Sequence, residues 1–177
     1  MSPGALRIAA PALVAGMLAC AEPAGQGSAA RGEITVNEIA PRTVEGTDWL
    51  EIVNRSEQAV DLCGYFVTDD LDRLDHYLPL GGAMPPEPCE ARMLDAGAYL
   101  VVYADDTAPE LDHAPFKLGT ADAVHVVTVT GLPVDSFVYL FPDAVQGQSL
   151  ARSPDSEGLF YLAEPTPGAA NPEDTGP

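Results

Sequence analysis

The feature that most constrains this chain is a succession of short, β-branched or aromatic runs with no helical period between them. Ile34–Ile39, Trp49–Val53, Ala59–Leu62 and Tyr65–Thr68 are followed by Tyr99–Tyr103, Val124–Thr130, Val134–Tyr139 and Leu159–Leu162. Each run is short, and turn residues separate one from the next. No window of twelve residues carries a 3.6-residue apolar period bounded by caps. Many short strands without intervening helices predict an antiparallel sandwich or barrel built round one core. In the second run, Trp49, Glu51 and Val53 share one face, and Leu50 and Ile52 share the other.

The 177 residues allow one domain or at most two small ones. With 46% hydrophobic residues a packed core is within reach. The 17 prolines and 16 glycines fit a turn-rich β protein better than a helical bundle. The beginning reads differently. Residues 1–19 hold no acid and one base, Arg7, and an apolar run spans Ile8–Leu18. That run is too short to cross a bilayer and suits the apolar stretch of an export signal. It ends Met17-Leu18-Ala19-Cys20, which resembles a bacterial lipobox in which Cys20 is acylated and becomes the mature N-terminus. Ordinary export with cleavage at Ala19-Cys20-Ala21, a small-x-small site, is the alternative. The reading is thus a signal peptide over 1–20, a flexible small-residue tether over 21–32 and a folded domain over 33–171. An acidic tail, 172–177, has nothing to bury.

Gly81–Ala96 is a long connection carrying Pro85, Pro86 and Pro88, residues that a central strand excludes. A loop of this length in a compact domain is either functional or pinned. Cys89 lies within it, and Cys63 is the other cysteine beyond Cys20. In an oxidising compartment the simplest reading is a Cys63–Cys89 disulfide. Closing a loop of about 27 residues would contribute roughly 3–4 kcal/mol. Neither cysteine belongs to a C-x-x-C, so a redox pair or zinc site is not expected.

Charge narrows the partners. There are 27 acids against 8 bases, a net charge of −19, and Lys117 is the only lysine. Loss of residues 1–20 removes Arg7 and no acid, which leaves −20. Such a chain cannot neutralise phosphates, so no nucleic acid is expected as a partner, and an anionic membrane surface is equally unsuitable. Contact with a membrane would come through a lipid at Cys20 alone. Divalent cations and basic protein surfaces remain.

A series of motifs runs through the body. Asn37-Glu38 comes first, then Trp49-Leu-Glu51-Ile-Val-Asn54, then Val60-Asp61-Leu-Cys-Gly64-Tyr65 with Thr68-Asp69. Leu94-Asp-Ala-Gly97-Ala-Tyr99 and Phe116-Lys-Leu-Gly119 follow. Val134-Asp135, Ser149-Leu-Ala-Arg152-Ser-Pro-Asp155 and Pro165-Thr-Pro-Gly168-Ala-Ala-Asn171 complete the series. The succession resembles the lamin-tail domain, an immunoglobulin-like module that also occurs in bacterial exported proteins. The resemblance covers nearly all of 33–171 and implies an all-β, immunoglobulin-like antiparallel β-sandwich. Departures are Tyr65, where tryptophan is common, the Pro-rich insert at 81–93, and the two cysteines.

Most motif residues suit structural tasks. Trp49 and Tyr65 offer large apolar areas to a core. Gly64 and Gly97 fit turns that need positive φ or close approach. Asn54 and Asp61 can satisfy backbone groups at turns. Arg152 calls for a carboxylate partner, either Glu51 or Asp135. Pro165–Gly168 is expected to lie against a sheet edge and blunt it, with Asn171 just beyond.

For chemistry, the densest acidic run is Asp69, Asp70, Asp72 and Asp75 with His76. Alternating carboxylates on a loop suit Ca²⁺, but the EF-hand glycine and glutamate are missing and Arg73 interrupts the run. A solvated loop is the plainer expectation, as it is for Asp105, Asp106, Glu110 and Asp112. His76, His113 and His125 are scattered, with His125 inside a strand-like run. H-E-x-x-H, G-x-S-x-G and glycine-rich phosphate loops do not occur, and Gly147-Gln-Ser149-Leu lacks a second glycine. The sequence therefore reads as a non-catalytic module without a cofactor, exported and membrane-anchored, that meets a protein or surface ligand through its loops. A Ca²⁺-dependent adhesion or structural module is the alternative. A hydrolase with an unrecognised carboxylate site ranks behind both.

Overall fold

A computed structural model describes residues 32–140 and 146–174. The signal-peptide reading with Cys20, the tether up to Arg31 and the last three residues of the tail lie outside them.

Twelve strands are described. In chain order they are β1 (Ile34–Ala40), β2 (Trp49–Asn54), β3 (Val60–Asp61), β4 (Tyr65–Thr68), β5 (Leu78–Pro79) and β6 (Met93–Leu94). Then come β7 (Tyr99–Ala104), β8 (His113–Ala114), β9 (Ala121–Thr128), β10 (Pro133–Leu140), β11 (Ser149–Ser153) and β12 (Leu159–Ala163). One turn of 3-10 helix, Leu74–His76, is the helical segment among the described residues. The larger sheet has six strands in the order β12-β11-β1-β2-β7-β8, and the second has four in the order β10-β9-β4-β5. β3 and β6 form a separate pair. All pairings are antiparallel except β7 with β8. The fold is the expected immunoglobulin-like, all-β sandwich.

The core lies between the two sheets. From the larger sheet Ile34, Val36, Ile39, Leu50, Ile52 and Val102 point inward to meet Val67, Leu78, Val124 and Val126 of the smaller one. Val36 and Ile39 are three residues apart, which strict alternation forbids on one face. A bulge resolves this, since the β1–β2 register shifts between Val36 and Glu38. After the bulge Glu38 points out of the sandwich and stands directly opposite Glu51. Both are fully buried. An outward face of a sheet normally meets water; here something must cover it.

Four strands were not legible as strands: β5, β6, β8 and β11. Three are two residues long, and Ser149-Leu-Ala-Arg-Ser153 has no β-branched or aromatic residue. The 124–130 run ends two residues early because Gly131 N–H donates to Thr128 O at 2.8 Å and closes a turn.

Candidate functional site

The cover over the larger sheet's outer face is the segment after β12. This strap, Pro165–Asn171, ties to side chains rather than to a strand ladder. Thr166 N–H donates to both Glu38 oxygens, at 3.1 and 3.2 Å, and its hydroxyl donates to Oε2 at 3.0 Å. Gly168, at φ +78°, donates its N–H to Glu51 Oε2 at 2.6 Å. Asn171 N–H donates to Asp155 Oδ1 at 2.9 Å, and its amide donates to the carbonyls of Asn37 (3.1 Å) and Arg152 (3.2 Å). β1 and β2 are interior strands of the sheet, so the strap crosses its face instead of blunting an edge, as the sequence had suggested.

The seam beneath the strap closes on itself. Asn37 donates its amide N–H to Glu51 Oε1 and to Asp155 Oδ1, both at 3.0 Å, while its Oδ1 accepts Ser156 N–H at 2.9 Å. Tyr99 OH donates to Asp155 Oδ2 at 2.7 Å, and Ser149 Oγ donates to Glu38 Oε1. Three carboxylates thus meet a set of neutral donors. Burial pushes the Glu51 carboxyl up to about 7, against the Asn37 and Gly168 hydrogen bonds that favour its anion. Burial raises Glu38 as well, and burial together with the Asp155 contact raises Tyr99. Trp49 is buried, but on this outer face, where it lines a pocket with Ala40, Thr43 and Pro165.

A second motif pair acts at the bulge. β11 matches β1 only at Glu38 and Ile39, so Val36 has no ladder partner there. Asp135 Oδ2 accepts Val36 N–H at 2.9 Å, and Arg152 Nε donates to Val36 O at 2.6 Å. The two side chains join each other at 3.0 Å. Of the two partners expected for Arg152, the ion pair is with Asp135. The guanidinium also donates to Gly158 O at 2.9 Å and sits 4.3 Å from the centre of the Phe160 ring.

The turn residues do what their chemistry suggested. Asn54 donates to the carbonyls of Gln58, Leu94 and Asp95 and accepts from Ser56. Asp61 Oδ1 accepts Cys63 N–H and Arg92 N–H. Gly64 and Gly97 have φ of +84° and +70°. Cys63 and Cys89 form a disulfide with Cα atoms 5.9 Å apart. Gly81 has to be glycine for a separate reason: a Cβ there would come within 2.5 Å of Cys89 Sγ and 2.9 Å of Cys63 Cα.

The acidic loop is arranged differently. Asp69 lies 2.6 Å from His76 Nδ1, Asp70 accepts Asp72 N–H at 2.9 Å, and Asp75 accepts from Arg73 at 2.7 Å. Asp105 makes a like pair with His113, also at 2.6 Å. Among the described residues, no three His, Cys, Asp or Glu side chains converge as a metal site would require. His125 meets Ser136 Oγ at 2.8 Å on the outer face of β9 and β10, and burial lowers its pKa.

Glu38, Asp155 and Thr166 fall within the sequence motifs, but no local pattern points to their role. Their meeting depends on contacts 111 to 128 residues apart, which no local pattern displays.

Residues 27–141 match the family model for the Lamin Tail Domain. The chain belongs to the lamin tail domain family. Lamin tail domains are non-catalytic, immunoglobulin-like modules. The matched span takes in β1 to β10, while β11, β12 and the strap lie beyond it. Comparison with curated proteins found no match.

Proposed function

We propose that this lamin tail domain is an exported interaction module, held to a bacterial envelope by a lipid on Cys20 and meeting a protein or surface ligand through its loops. The observation that carries the non-catalytic part is the commitment of the motif side chains. Glu38, Glu51, Asn54, Asp135, Arg152 and Asn171 are all buried and bonded within the fold, on backbone groups or on one another. A general acid or base needs a substrate within hydrogen-bond reach, and the strap's own donors cover the Glu38 and Glu51 oxygens. What remains for contact is the exposed surface of the loops, where such folds place recognition. The anchoring part rests on the Ile8–Leu18 run before Cys20, and the disulfide agrees with an oxidising compartment.

Two measurements test this reading. Mass spectrometry of the mature chain from its native envelope should find an acylated Cys20 at the N-terminus. An unmodified chain starting elsewhere, or one still carrying residues 1–19, would overturn the anchor. Cross-linking in the intact envelope should then give discrete adducts through loop residues. Steady hydrolytic turnover of any ester, peptide or phosphodiester substrate, abolished by Glu51→Gln, would overturn the non-catalytic part.

A further inference from the structure

The smaller sheet also has a partly covered outer face. Phe66 of β4 and Val127 of β9 point away from the sandwich core and form a second apolar cluster with Tyr77. The Phe66 and Tyr77 ring centres are 6.1 Å apart. The 3-10 turn and the Pro-rich insert fold over one side of this cluster, and the β9–β10 turn flanks the other. Between them runs a groove of about 330 Å³, with Phe66 and Tyr77 among its lining residues. Leu74, Met84 and Val129 also line it and remain 73%, 39% and 59% exposed. Isolated exposed apolar residues need no explanation, but three converging on one groove do.

Both walls are fixed before anything binds. On the insert side Gly82 N–H donates to Pro79 O (2.9 Å), Glu87 N–H to Met84 O (3.0 Å) and Arg92 to Leu80 O (2.9 Å). The Cys63–Cys89 bond closes the same loop. On the other side Gly131 N–H donates to Thr128 O and Val129 N–H to Gly64 O, both at 2.8 Å. A groove held this way lowers the ordering cost of binding. Its volume is at the low end of ligand pockets and suits a few peptide side chains better than a large cofactor.

The segments that build the insert-side wall are mostly acidic. Residues 66–90 hold six acids, Asp69, Asp70, Asp72, Asp75, Glu87 and Glu90, against one arginine. That arginine, Arg73, is bonded to Asp75. A second copy of so acidic a chain would be repelled from such a rim, and so would an anionic ligand.

We propose that the groove between the 3-10 turn, the Pro-rich insert and the β9–β10 turn docks a partner-protein segment with apolar anchors flanked by lysine or arginine. This rests on the interaction-module reading and names its surface and the chemistry of its partner.

The test uses the full chain, isotopically labelled, with two synthetic probes. One is a twelve-residue leucine–lysine peptide; the other is a serine–lysine peptide of equal charge. In buffer of physiological ionic strength the leucine–lysine peptide should bind at least tenfold tighter. Amide shifts should concentrate at Leu74, Met84 and Val129. The paired substitution Leu74→Ser with Met84→Ser, both on exposed side chains, should weaken binding at least fivefold without moving the melting temperature. Val138→Ser with Leu140→Ser, on the edge of β10, should leave binding unchanged. Equal binding of the two peptides, or shifts spread over the acidic surface, would overturn the proposal. Shifts on β10 and β12 would also overturn it, while leaving an interaction module that works through another face. Turnover in the assays above would remove the broader reading whatever the peptides do.

Discussion

Two groups of carboxylates in this chain have opposite surroundings. Glu38, Glu51 and Asp155 lie under the strap with backbone and amide donors on their oxygens. Asp70, Asp72 and Asp75 stand exposed on the loop before β5, where Asp70 accepts the Asp72 N–H and Asp75 is bonded to Arg73. The residue types hardly differ; the packing does. A buried carboxylate carries a desolvation cost, and its hydrogen bonds decide how the chain closes. An exposed one contributes charge and little else. The contrast explains why a chain with 27 acids need not be a metal binder or an acid–base catalyst.

The sharpest way to break the comparison is at the buried ion pair. Arg152→Ala leaves Asp135 buried with an uncompensated charge and frees the Val36 and Gly158 carbonyls. The expected loss is about 3–5 kcal/mol in a urea melt. An unchanged midpoint would mean that the clamp on the β1 bulge does not hold the sheet.

Next in size is the disulfide. Cys63→Ser with Cys89→Ser should lower stability by roughly 3–4 kcal/mol through the restored freedom of the 63–89 loop. The effect should show in thermal melts, and reductant should lower the melting temperature of the native chain in the same way.

The pH response separates the two carboxylate groups directly. Glu51 titrates at about 7 in the fold against 4.5 when unperturbed. Between those values the folded chain holds the proton more tightly than the unfolded one. Unfolding free energy therefore falls as pH rises through the window, by about 3 kcal/mol once both ends are passed. The unfolding free energy of the native chain relative to Glu51→Gln should fall by that order between pH 4.5 and pH 8. Above the Glu51 midpoint glutamine should also lose one hydrogen bond, because both oxygens of the ionised Glu51 accept from donors. Asp75 behaves in the opposite sense: its bond to Arg73 lowers its pKa and outweighs desolvation.

The smallest effect belongs to the loop. Asp70→Asn with Asp72→Asn should change stability by no more than about 0.5 kcal/mol. Millimolar Ca²⁺, compared with chelator, should leave the melting curve in place. A clear upward shift would favour the calcium-dependent module and break the comparison.

How far the sequence reached follows from the range of each interaction. The strands with β-branched or aromatic runs, the turn glycines at 64 and 97, and the cysteine pair were readable because each depends on local composition or on counting. The acid that pairs with Arg152 could be narrowed to two candidates but not chosen, because the choice turns on which way β11 leaves β1. Trp49 and Glu51 could be placed on one face, yet nothing local says that face is covered. Its cover comes from a segment more than a hundred residues downstream, and the bulge that turns Glu38 toward it leaves no mark in a strand pattern. The groove over Phe66 was equally hidden, since alternation in a four-residue strand does not tell which of Phe66 and Val67 faces the core.

The claim that joins these observations is that the strap seals Glu51 away from water. Carboxyl carbon shifts of the full chain, followed by NMR from pH 4 to pH 9, test it most directly. The account predicts a Glu51 midpoint of about 7. A midpoint near the unperturbed 4.5 would mean that the carboxyl is solvated and the strap open.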